Sequence, residues 1–494
     1  MTVLKETPKD FAREKYRPQY HFSPKENWMN DPNGMVYFHG EYHLFYQYHP
    51  FGTTWGPMHW GHAVSKDMVE WEHLPVALEP DEHGMIFSGS CVVDWEDTSG
   101  LFDGNAGLVA IFTHAKEVAD GNHIQKQSLA YSKDDGRTWV KYAGNPVLED
   151  ASLKDFRDPK VFWHAPDRRW VMVLAAGDWV NIYTSPNLIE WSYASSFGKE
   201  EGAHLGVWEC PDLFPLQVDT SNEKKWVMIV SIGDDPQYEE GSRTQYFIGE
   251  FDGEYFVADE PEAVRWLDYG RDNYAGVTWS DIPEEDGRRI LLGWMSNWRY
   301  ANQLPTESFR SAMTLPRELT LRTTQSGIRL FQSPVKELGT LEETISEKVD
   351  VSVAGNYRLA DDLKTGTLKV ELTVDPTDSR HFQLVLPTTN GEKTVIGYES
   401  DTSRVYIDRS LSGENRFHED FSGCHAAYVP PTGRPMTWQV YVDHSSVELF
   451  VNDGEVVLTD LIFSEGVVQG VELTAEEGHA AVSKLKVARI RSAM

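Results

Sequence analysis

The chain has 494 residues, a length that suggests two domains rather than one ordinary core. Its 45 basic and 77 acidic side chains give a formal net charge of −32, which argues against nucleic acid or a membrane surface as a partner because both are anionic. A neutral ligand fits better, and aromatic residues make up 12% of the chain, many of them beside Asn, Asp and Gly in loop-like segments where rings stack on sugar faces.

Targeting and redox signals are few. The chain lacks an apolar run of about 18 residues and its first 22 residues lack an apolar signal-peptide core. We therefore expect no membrane span and no signal peptide, which predicts a cytoplasmic protein if the chain is full-length and an extracellular one if a signal was removed. Cys91, Cys210 and Cys424 are far apart and odd in number, so neither a disulfide framework nor a CxxC metal site is indicated.

The first distinctive element is "WMNDPNG", Trp28 to Gly34, which precedes the alternating run "MVYFHGEYHLFYQY". The alternation predicts a pair of strands. Asp31 lies between Asn30 and Pro32, and this local pattern alone is also typical of an Asx turn without a catalytic role.

A turn motif recurs further along the chain. "SKDMVEW" (65–71), "SKDDGRTW" (132–139) and "SPNLIEW" (185–191) share a Ser, an Asp or Asn two residues later, and a Trp. Each follows an alternating run, so each predicts a strand, a turn and the start of another strand.

A longer repeat contains these turns. Units that begin with a polar or acidic corner and continue as a strand, a polar turn and an apolar strand start near residues 31, 88, 158, 209 and 274. Units of this kind cannot each bury both faces alone, so we expect them to stack radially as a five-bladed β-propeller.

The pattern of polar and apolar residues changes after "LPRELTL" (315–321). Residues 334–346 are polar, and short alternating strands follow, including "LKVELTV", "FQLVLP" and a hairpin with an Asp453-Gly454 turn. This pattern predicts an antiparallel β-sandwich. We expect an all-β chain with a propeller over residues 1–340 and a sandwich over residues 341–494.

Three carboxylates stand out in the repeat. Asp31, Asp158 and Glu209 are predicted to occupy the same place in three units, at the start of the first strand, and therefore to converge at one mouth of the central channel. Asp158 alone is also readable as a structural ion pair with Arg157. Convergent carboxylates are typical of sites where one attacks and another donates a proton, and the apolar neighbours Trp208 and Cys210 predict a protonated Glu209.

The motifs "WMNDPNG", "FRDPK" and "WECPDLF" resemble the signature motifs of glycoside hydrolase family 32, the β-fructofuranosidases, and further stretches such as "YAGVTW" and "GWMSNW" are similar. The resemblance implies a five-bladed propeller joined to a β-sandwich. It also implies that Asp31 is the nucleophile, Glu209 the acid/base and Asp158 the stabiliser of the transition state, with no cofactor.

Other residues near these motifs are expected to line the sugar pocket. Amide forks, aromatic faces and hydrogen-bond donors bind vicinal hydroxyls, although any single Trp is also readable as core. The expected pocket residues are Asn30, Gln47, Trp55, Trp60, Ser88, Arg157, Tyr274 and Trp294. We predict no metal site, because His59 and His62 would point to opposite faces of a strand and the other histidines of this region, His39, His43 and His49, form no HExxH motif.

The function expected is an exo-acting retaining β-fructosidase that acts on levan, inulin, fructo-oligosaccharides and sucrose. The alternatives within the fold are a sucrose-preferring invertase and an inverting glycosidase of the arabinan or xylan type. A non-catalytic sugar-binding propeller is the alternative of another class, and it would be expected to lack one of the three carboxylates. The sequence leaves open the order of substrates and the oligomeric state.

Overall fold

The computed structural model describes residues 11–118, 122–376 and 378–494. Residues 1–10, on which the expectation of no signal peptide partly rests, lie outside the described residues. Nearly all regular structure is β-strand, with short 3₁₀ helices at Phe11–Arg13, Ala301–Gln303 and Lys336–Leu341. Within the described ranges, no helix has the length and apolar character needed to cross a membrane.

Five antiparallel sheets follow one another along the first two thirds of the chain, and each predicted unit start falls in the first strand of a sheet. The strands of blades 1 and 2 are β1 (Asn27–Phe38), β2 (Glu41–His49), β3 (His59–Ser65), β4 (Glu72–Leu78), β5 (Met85–Asp94), β6 (Gly107–Glu117), β7 (His123–Ser132), β8 (Val140–Lys141) and β9 (Leu148–Glu149).

The strands of blades 3 to 5 are β10 (Phe156–His164), β11 (Arg169–Ala176), β12 (Val180–Ser185), β13 (Ser192–Phe197), β14 (Trp208–Gln217), β15 (Lys224–Ile232), β16 (Arg243–Phe251), β17 (Phe256–Ala258), β18 (Tyr274–Thr278), β19 (Arg289–Met295), β21 (Ala312–Met313), β22 (Arg317–Thr324) and β23 (Gly327–Pro334). The short strand β20 (Phe309–Arg310) returns to blade 1, where it lies beside β1. The first strands contact one another in a ring, β1 to β5, β5 to β10, β10 to β14, β14 to β18 and β18 to β1. The predicted five-bladed propeller is confirmed, and the first strands surround its central channel.

The repeated turn motif has one geometry in three blades. The third residue of each motif, Asp67, Asp134 or Asn187, accepts hydrogen bonds from backbone N–H groups that follow it. The Trp at the end of each motif donates its indole N–H to a carbonyl three residues earlier, at 2.9 to 3.1 Å. The recurrence seen in the sequence is therefore a shared turn between the third and fourth strands.

The C-terminal part is a two-layered β-structure built on two long strands. Its strands are β24 (Glu342–Thr365), β25 (Leu368–Asp375), β26 (His381–Pro387), β27 (Lys393–Glu399), β28 (Arg404–Asp408), β29 (Cys424–Tyr428), β30 (Met436–Asp443), β31 (Ser446–Val451), β32 (Val456–Leu461) and β33 (Val468–Ile490).

Strand β33 belongs to both layers of the predicted sandwich. Its first half pairs with β26, where Leu384 faces Leu473, and its second half pairs with β25, where Leu372 faces Leu485. The strand bends between these halves at Gly478, whose φ of 150° favours glycine. The four leucines belong to one buried core between the layers.

Buried charges join the two domains. Arg317 of β22 contacts Asp268 at 3.0 Å and Glu448 of β31 at 2.6 Å. His21, in the segment before β1, lies 2.8 Å from both Asp443 and Glu448. Because these side chains are fully or almost fully buried and paired, the sandwich is fixed against the propeller by ion pairs as well as by apolar contacts.

Candidate active site

A β-bulge near the start of each inner strand shapes the channel mouth. In every blade the ladder to the second strand skips one extra residue, between Met29 and Pro32, Ile86 and Gly89, Arg157 and Lys160, Glu209 and Asp212, and Tyr274 and Val277. An inserted residue breaks the two-residue alternation and redirects the side chains beside it. The bulges therefore direct side chains from all five blades toward one mouth.

The three carboxylates occupy successive positions of this bulge. In each strand, positions are counted from the last residue that is paired before the bulge. Glu209 is that residue in β14, Asp158 is one residue after it in β10, and Asp31 is two residues after it in β1. The expectation that they are equivalent residues of the repeat is therefore wrong. They nevertheless line one cavity of about 520 Å³, because the bulge redirects successive side chains, and Asp158 has a φ of 64°.

Asp31 is buried, and both of its oxygens accept hydrogen bonds. The Ser88 hydroxyl donates to Oδ2 at 2.8 Å, and the Asn30 amide donates to Oδ1 at 3.0 Å. Burial and then the charge of Glu209 raise the pKa of Asp31, while the bonds from Asn30 and Ser88 oppose the rise. The result is an oriented carboxylate that can attack an electrophilic carbon once it is ionised.

Asp158 is held by the backbone of the next blade. Its Oδ2 accepts the Cys210 N–H at 3.0 Å, and its own N–H donates to Thr113 Oγ1 at 3.0 Å. Burial raises the pKa of Asp158 to about 7, Arg157 opposes this rise, and the charges of Glu209 and Asp31 add to it. The Cys210 sulfur lies 3.6 Å from Oδ2 of both Asp31 and Asp158, so one thiol separates the two carboxylates.

Glu209 is surrounded by polar groups. Arg157 donates to Oε1 from Nε at 3.1 Å and from Nη2 at 2.9 Å, and the Tyr274 hydroxyl donates to Oε2. The apolar setting expected from Trp208 is not found, because neighbouring residues of a strand point to opposite faces. The Trp208 ring is buried within the blade and donates to the Ala203 carbonyl at 2.9 Å.

Arg157 pairs more closely with Glu209 than with Asp158, the partner that the alternative interpretation of Asp158 gave it. Its Nη1 donates to Asp155 at 2.7 Å, whereas its closest approach to Asp158 is 4.0 Å. The bulge explains the difference, because it turns Asp158 away from its sequence neighbour. Arg157 therefore holds the carboxylate of the next blade in place.

Several predicted pocket residues line the cavity, namely Asn30, Gln47, Trp55, Ser88 and Arg157. Gln47 is oriented by a bond from Nε2 to the Ile86 carbonyl at 3.0 Å. Trp55, 38% exposed, is fixed at the rim by its backbone N–H, which donates to Asn302 Oδ1 at 2.9 Å. Tyr274 is fully buried and reaches the site through its bond to Glu209.

Two predicted pocket tryptophans lie in the core. Trp60 is fully buried, donates its indole N–H to the Phe87 carbonyl at 3.0 Å and packs against Phe45 and Phe112. Trp294 is fully buried against Trp28 and Trp298. The expectation that they line the pocket is therefore corrected, because a Trp within a strand beside the site has the same local sequence pattern as a core Trp.

Eight further residues line the cavity without having been predicted from the sequence: Phe87, Asn122, His123, Gln125, Lys154, Asp155, Trp298 and Asn302. Trp298 takes the place expected for Trp294, four residues away in the same "GWMSNW" stretch. Phe87 could have been inferred as a cavity residue, because it immediately precedes the predicted pocket residue Ser88 in the chain. His123 is the first residue of β7, and Lys154 lies in the connection between β9 and β10, for which the repeat predicts no position.

The five histidines that the sequence groups near the first motif do not form one cluster. His43 Nδ1 lies 3.1 Å from His62 Nε2, whereas His49 and His59 bond to the carbonyls of Thr54 and Pro57 and His39 faces Asp135. Within residues 11–118, 122–376 and 378–494, no group of three His, Cys, Asp or Glu side chains is placed to hold a metal ion.

Comparison with known proteins gives the family. Residues 21–334 match the model of the glycosyl hydrolases family 32 N-terminal domain, and residues 337–489 match the family 32 C terminal model. The chain belongs to glycoside hydrolase family 32. As a member of family 32 it is a glycosidase, and three carboxylates of its propeller line one cavity.

Relatives within family 32 include two curated levanases. The chain is 52% identical over 481 residues to the levanase of Bacillus subtilis (strain 168), and the aligned region covers 96% of this chain and 70% of the levanase. It is 40% identical over 495 residues to the levanase of Bacillus sp. (strain L7), covering 97% of this chain and 52% of that protein. The chain thus spans about half the length of the second levanase.

A solved family 32 structure has the same architecture. The crystal structure of exo-inulinase from Aspergillus awamori superimposes with a TM-score of 0.91 at 36% identity, covering 98% of this chain and 100% of that chain. The propeller and the C-terminal sandwich are therefore both present in that enzyme.

Proposed function

We propose that this chain is an exo-acting, retaining β-fructosidase that removes terminal β-D-fructofuranosyl residues from fructans and also acts on fructo-oligosaccharides and sucrose. The observation that carries the proposal is the set of three carboxylates in one cavity of a family 32 propeller. Relatives named levanase and exo-inulinase support fructans as substrates. Family membership favours this function over an arabinan or xylan glycosidase.

The reaction takes place in two displacements at the anomeric C2 of the terminal fructose. The ionised Asp31 forms a bond to C2 as the bond from C2 to the leaving oxygen breaks, and Glu209 gives its proton to that oxygen. Water then attacks C2 of the fructosyl ester while Glu209 takes a proton from the water, so β-fructose leaves and both carboxyl groups return to their starting states. Asp158 accepts hydrogen bonds from ring hydroxyls, which strengthen as positive charge develops.

Arg157 and Tyr274 set the position of the proton donor. They bond to different oxygens of Glu209, so the carboxyl group cannot rotate freely. A fixed orientation directs the proton toward one place above the cavity and so favours transfer to the leaving oxygen.

The floor of the cavity supports the proposed exo mode. The buried Cys210 lies beneath Asp31 and Asp158, and deeper in the channel the Lys160 ammonium donates to the Thr278 carbonyl and lies 3.4 Å from Asp212. These contacts block the channel below the carboxylates. A polymer therefore cannot thread through the channel, and a terminal fructosyl unit that enters from the open mouth ends beside Asp31.

The test is a time course of products from inulin and from levan, resolved by chromatography. Free fructose should dominate from the first minutes, and NMR should show that it is released as the β-anomer before mutarotation. Early oligosaccharides of three to six units would contradict the exo mode, and α-fructose would contradict retention. Values of kcat/KM for sucrose, inulin and levan from the same preparation rank the substrates.

A further inference from the structure

A second, larger cavity opens at the other end of the propeller channel. Its volume is about 830 Å³, compared with about 520 Å³ for the catalytic cavity. It is lined by the later residues of the inner strands, Val92–Asp94 in β5, 160 and 162–164 in β10 and Asp212–Pro215 in β14. The catalytic cavity is lined by earlier residues of the same strands, and the nearest lining residues of the two cavities are two residues apart in β10 (Asp158 and Lys160) and three apart in β14 (Glu209 and Asp212). At about 3.3 Å per strand residue, about 7 to 10 Å of strand separates the two cavities.

Three partly exposed tryptophans line this cavity. Trp95 is 57% exposed and is held in place by its indole N–H, which donates to Asp281 at 2.9 Å. Trp163 is half-buried against Trp170, and Trp226 is half-buried against other aromatic rings. Fixed aromatic faces in a concave site favour the apolar faces of sugar rings.

Unused polar groups accompany these rings. Asp212 is fully buried and its Oδ2 accepts two bonds from Thr278, but its Oδ1 has no hydrogen-bond partner among the described residues. Arg289 donates only to the neutral oxygens of Thr278 and Trp279, and it forms no ion pair within the part of the chain that the structure describes. The Arg289 guanidinium is therefore a planar donor that matches the vicinal hydroxyls of a sugar, whereas Asp212 Oδ1 is buried behind the cavity wall.

The charges around the cavity disfavour an anionic ligand. Three basic and five acidic side chains line it: Lys160, Lys224, Arg289, Asp94, Glu96, Asp212, Asp281 and Glu284. This excess of carboxylates repels phosphates and anionic polymers, in line with the net charge of −32. A neutral polyhydroxylated ligand accepts hydrogen bonds from Arg289 without that repulsion.

We propose that the mouth of the channel opposite the catalytic cavity is a non-catalytic binding site for a neutral oligosaccharide, namely a segment of a fructan chain stacked on Trp95. The identity of the sugar rests on the proposed function, whereas the site itself rests on the cavity, its rings and the Arg289 guanidinium. A fructan held there keeps the polymer at the protein between cleavages.

The test compares two full-length variants that cannot turn over the probe, Asp31→Asn and the double variant Asp31→Asn with Trp95→Ala. Each is titrated by calorimetry with an inulin-type hexasaccharide. We expect two binding events for the single variant and only one for the double variant, since loss of the stacking ring weakens the second event by about tenfold or more. Replacing Tyr193, an exposed ring outside both cavities, by Ala should leave both events unchanged.

Activity measurements separate this inference from the proposed function. With Asp31 intact, Trp95→Ala should hydrolyse sucrose at the normal rate, which also shows that it folds, and should lose efficiency on dilute inulin. A single binding event that Trp95→Ala does not alter, together with normal inulin hydrolysis, would overturn the second site and leave the proposed function standing. Failure to hydrolyse any fructan would overturn the proposed function and the sugar assigned to the second site.

Discussion

The carboxylate of Asp31 combines burial with two donated hydrogen bonds. Asp31→Asn keeps the size of the side chain and an oxygen able to accept the Ser88 hydroxyl, but an amide cannot form the fructosyl ester. We expect kcat on sucrose to fall by about 10⁴-fold or more, equivalent to about 5.5 kcal/mol of barrier, with an unchanged unfolding temperature. A folded variant with a few per cent of the original activity would contradict the assignment of Asp31 as the nucleophile.

The Ser88 hydroxyl lowers the pKa of Asp31 against the effect of burial. Since Asp31 must be ionised to attack, activity should fall as the pH drops through its pKa. Ser88→Ala removes a bond that favours the ionised form, so the acid limb of the kcat/KM profile should move to higher pH by about one unit. The control is Ser90→Ala in the same strand, whose hydroxyl accepts the Val161 N–H instead. An equal shift in both variants would show that Ser88 does not tune Asp31.

The convergence of the three carboxylates on one cavity could be predicted from the sequence, whereas the hydrogen-bond partners of each carboxylate could not. The adjacency of Arg157 and Asp158 in the chain indicates an ion pair between them as one interpretation, yet the close hydrogen bonds of Arg157 are to Glu209 of the next blade and to Asp155. Trp294 and Trp298 differ in exposure although they stand in one short motif. Such differences depend on which face of a strand meets the neighbouring blade, and local patterns do not specify this.

At the scale of the strand, the bulges position the site. The repeat in the sequence predicted the five inner strands because their alternation and turns recur. It could not predict that Glu209, Asp158 and Asp31 stand at three successive bulge positions, because a bulge adds one residue without a distinctive composition. Nearby Pro residues suggested an equivalence that the register of the ladders does not support.

Gly89 completes the bulge that carries Ser88. A Cβ at this position would lie 2.1 Å from the Ile111 carbonyl oxygen of the adjacent strand, so Gly89→Ala must separate β5 from β6. We expect a loss of about 1 to 3 kcal/mol in the free energy of unfolding and a lower kcat, because Ser88 moves away from Asp31. Urea unfolding and sucrose kinetics on the same preparation measure both effects.

A matched control lies in the bulge of blade 5. A Cβ on Gly276 would meet its nearest neighbours at 3.4 Å, an ordinary contact. Gly276→Ala should therefore be tolerated with little change in stability. If the two variants lost stability equally, close approach of the backbone could not be the reason why Gly89 is required.

At the scale of the whole molecule, the two domains were predicted and their buried ionic interface was not. His21 shows what the interface adds. Burial opposes the charge of its imidazolium, but the bonds to Asp443 and Glu448 outweigh burial and raise the pKa of His21 to about 9. Ion pairs between residues this far apart in the chain leave no local signal in the sequence.

The raised pKa predicts how stability depends on pH. A histidine in the unfolded chain has a pKa of about 6.5, so the stabilisation by protonated His21 is fully present below that pH and is lost as the pH rises through about 9. The free energy of unfolding should fall across this window by about 3 kcal/mol. His21→Gln should be less stable near pH 6 and should lose most of this dependence.

Denaturant titrations at several pH values give the measurement. The exposed His39 provides the control, since His39→Gln should keep the slope of the original protein. If His21→Gln showed the same slope, the pH dependence would have to come from groups outside this interface.

The shared long strands of the sandwich also impose an order on folding. β24 begins at Glu342, directly after the propeller, but its hydrogen-bonded partner is β33, which begins at Val468. Such a distant pairing costs loop-closure entropy and forms slowly. During synthesis, the edge of β24 must therefore wait unpaired until more than a hundred further residues have emerged from the ribosome, and for that time its backbone groups are open to pairing with other chains.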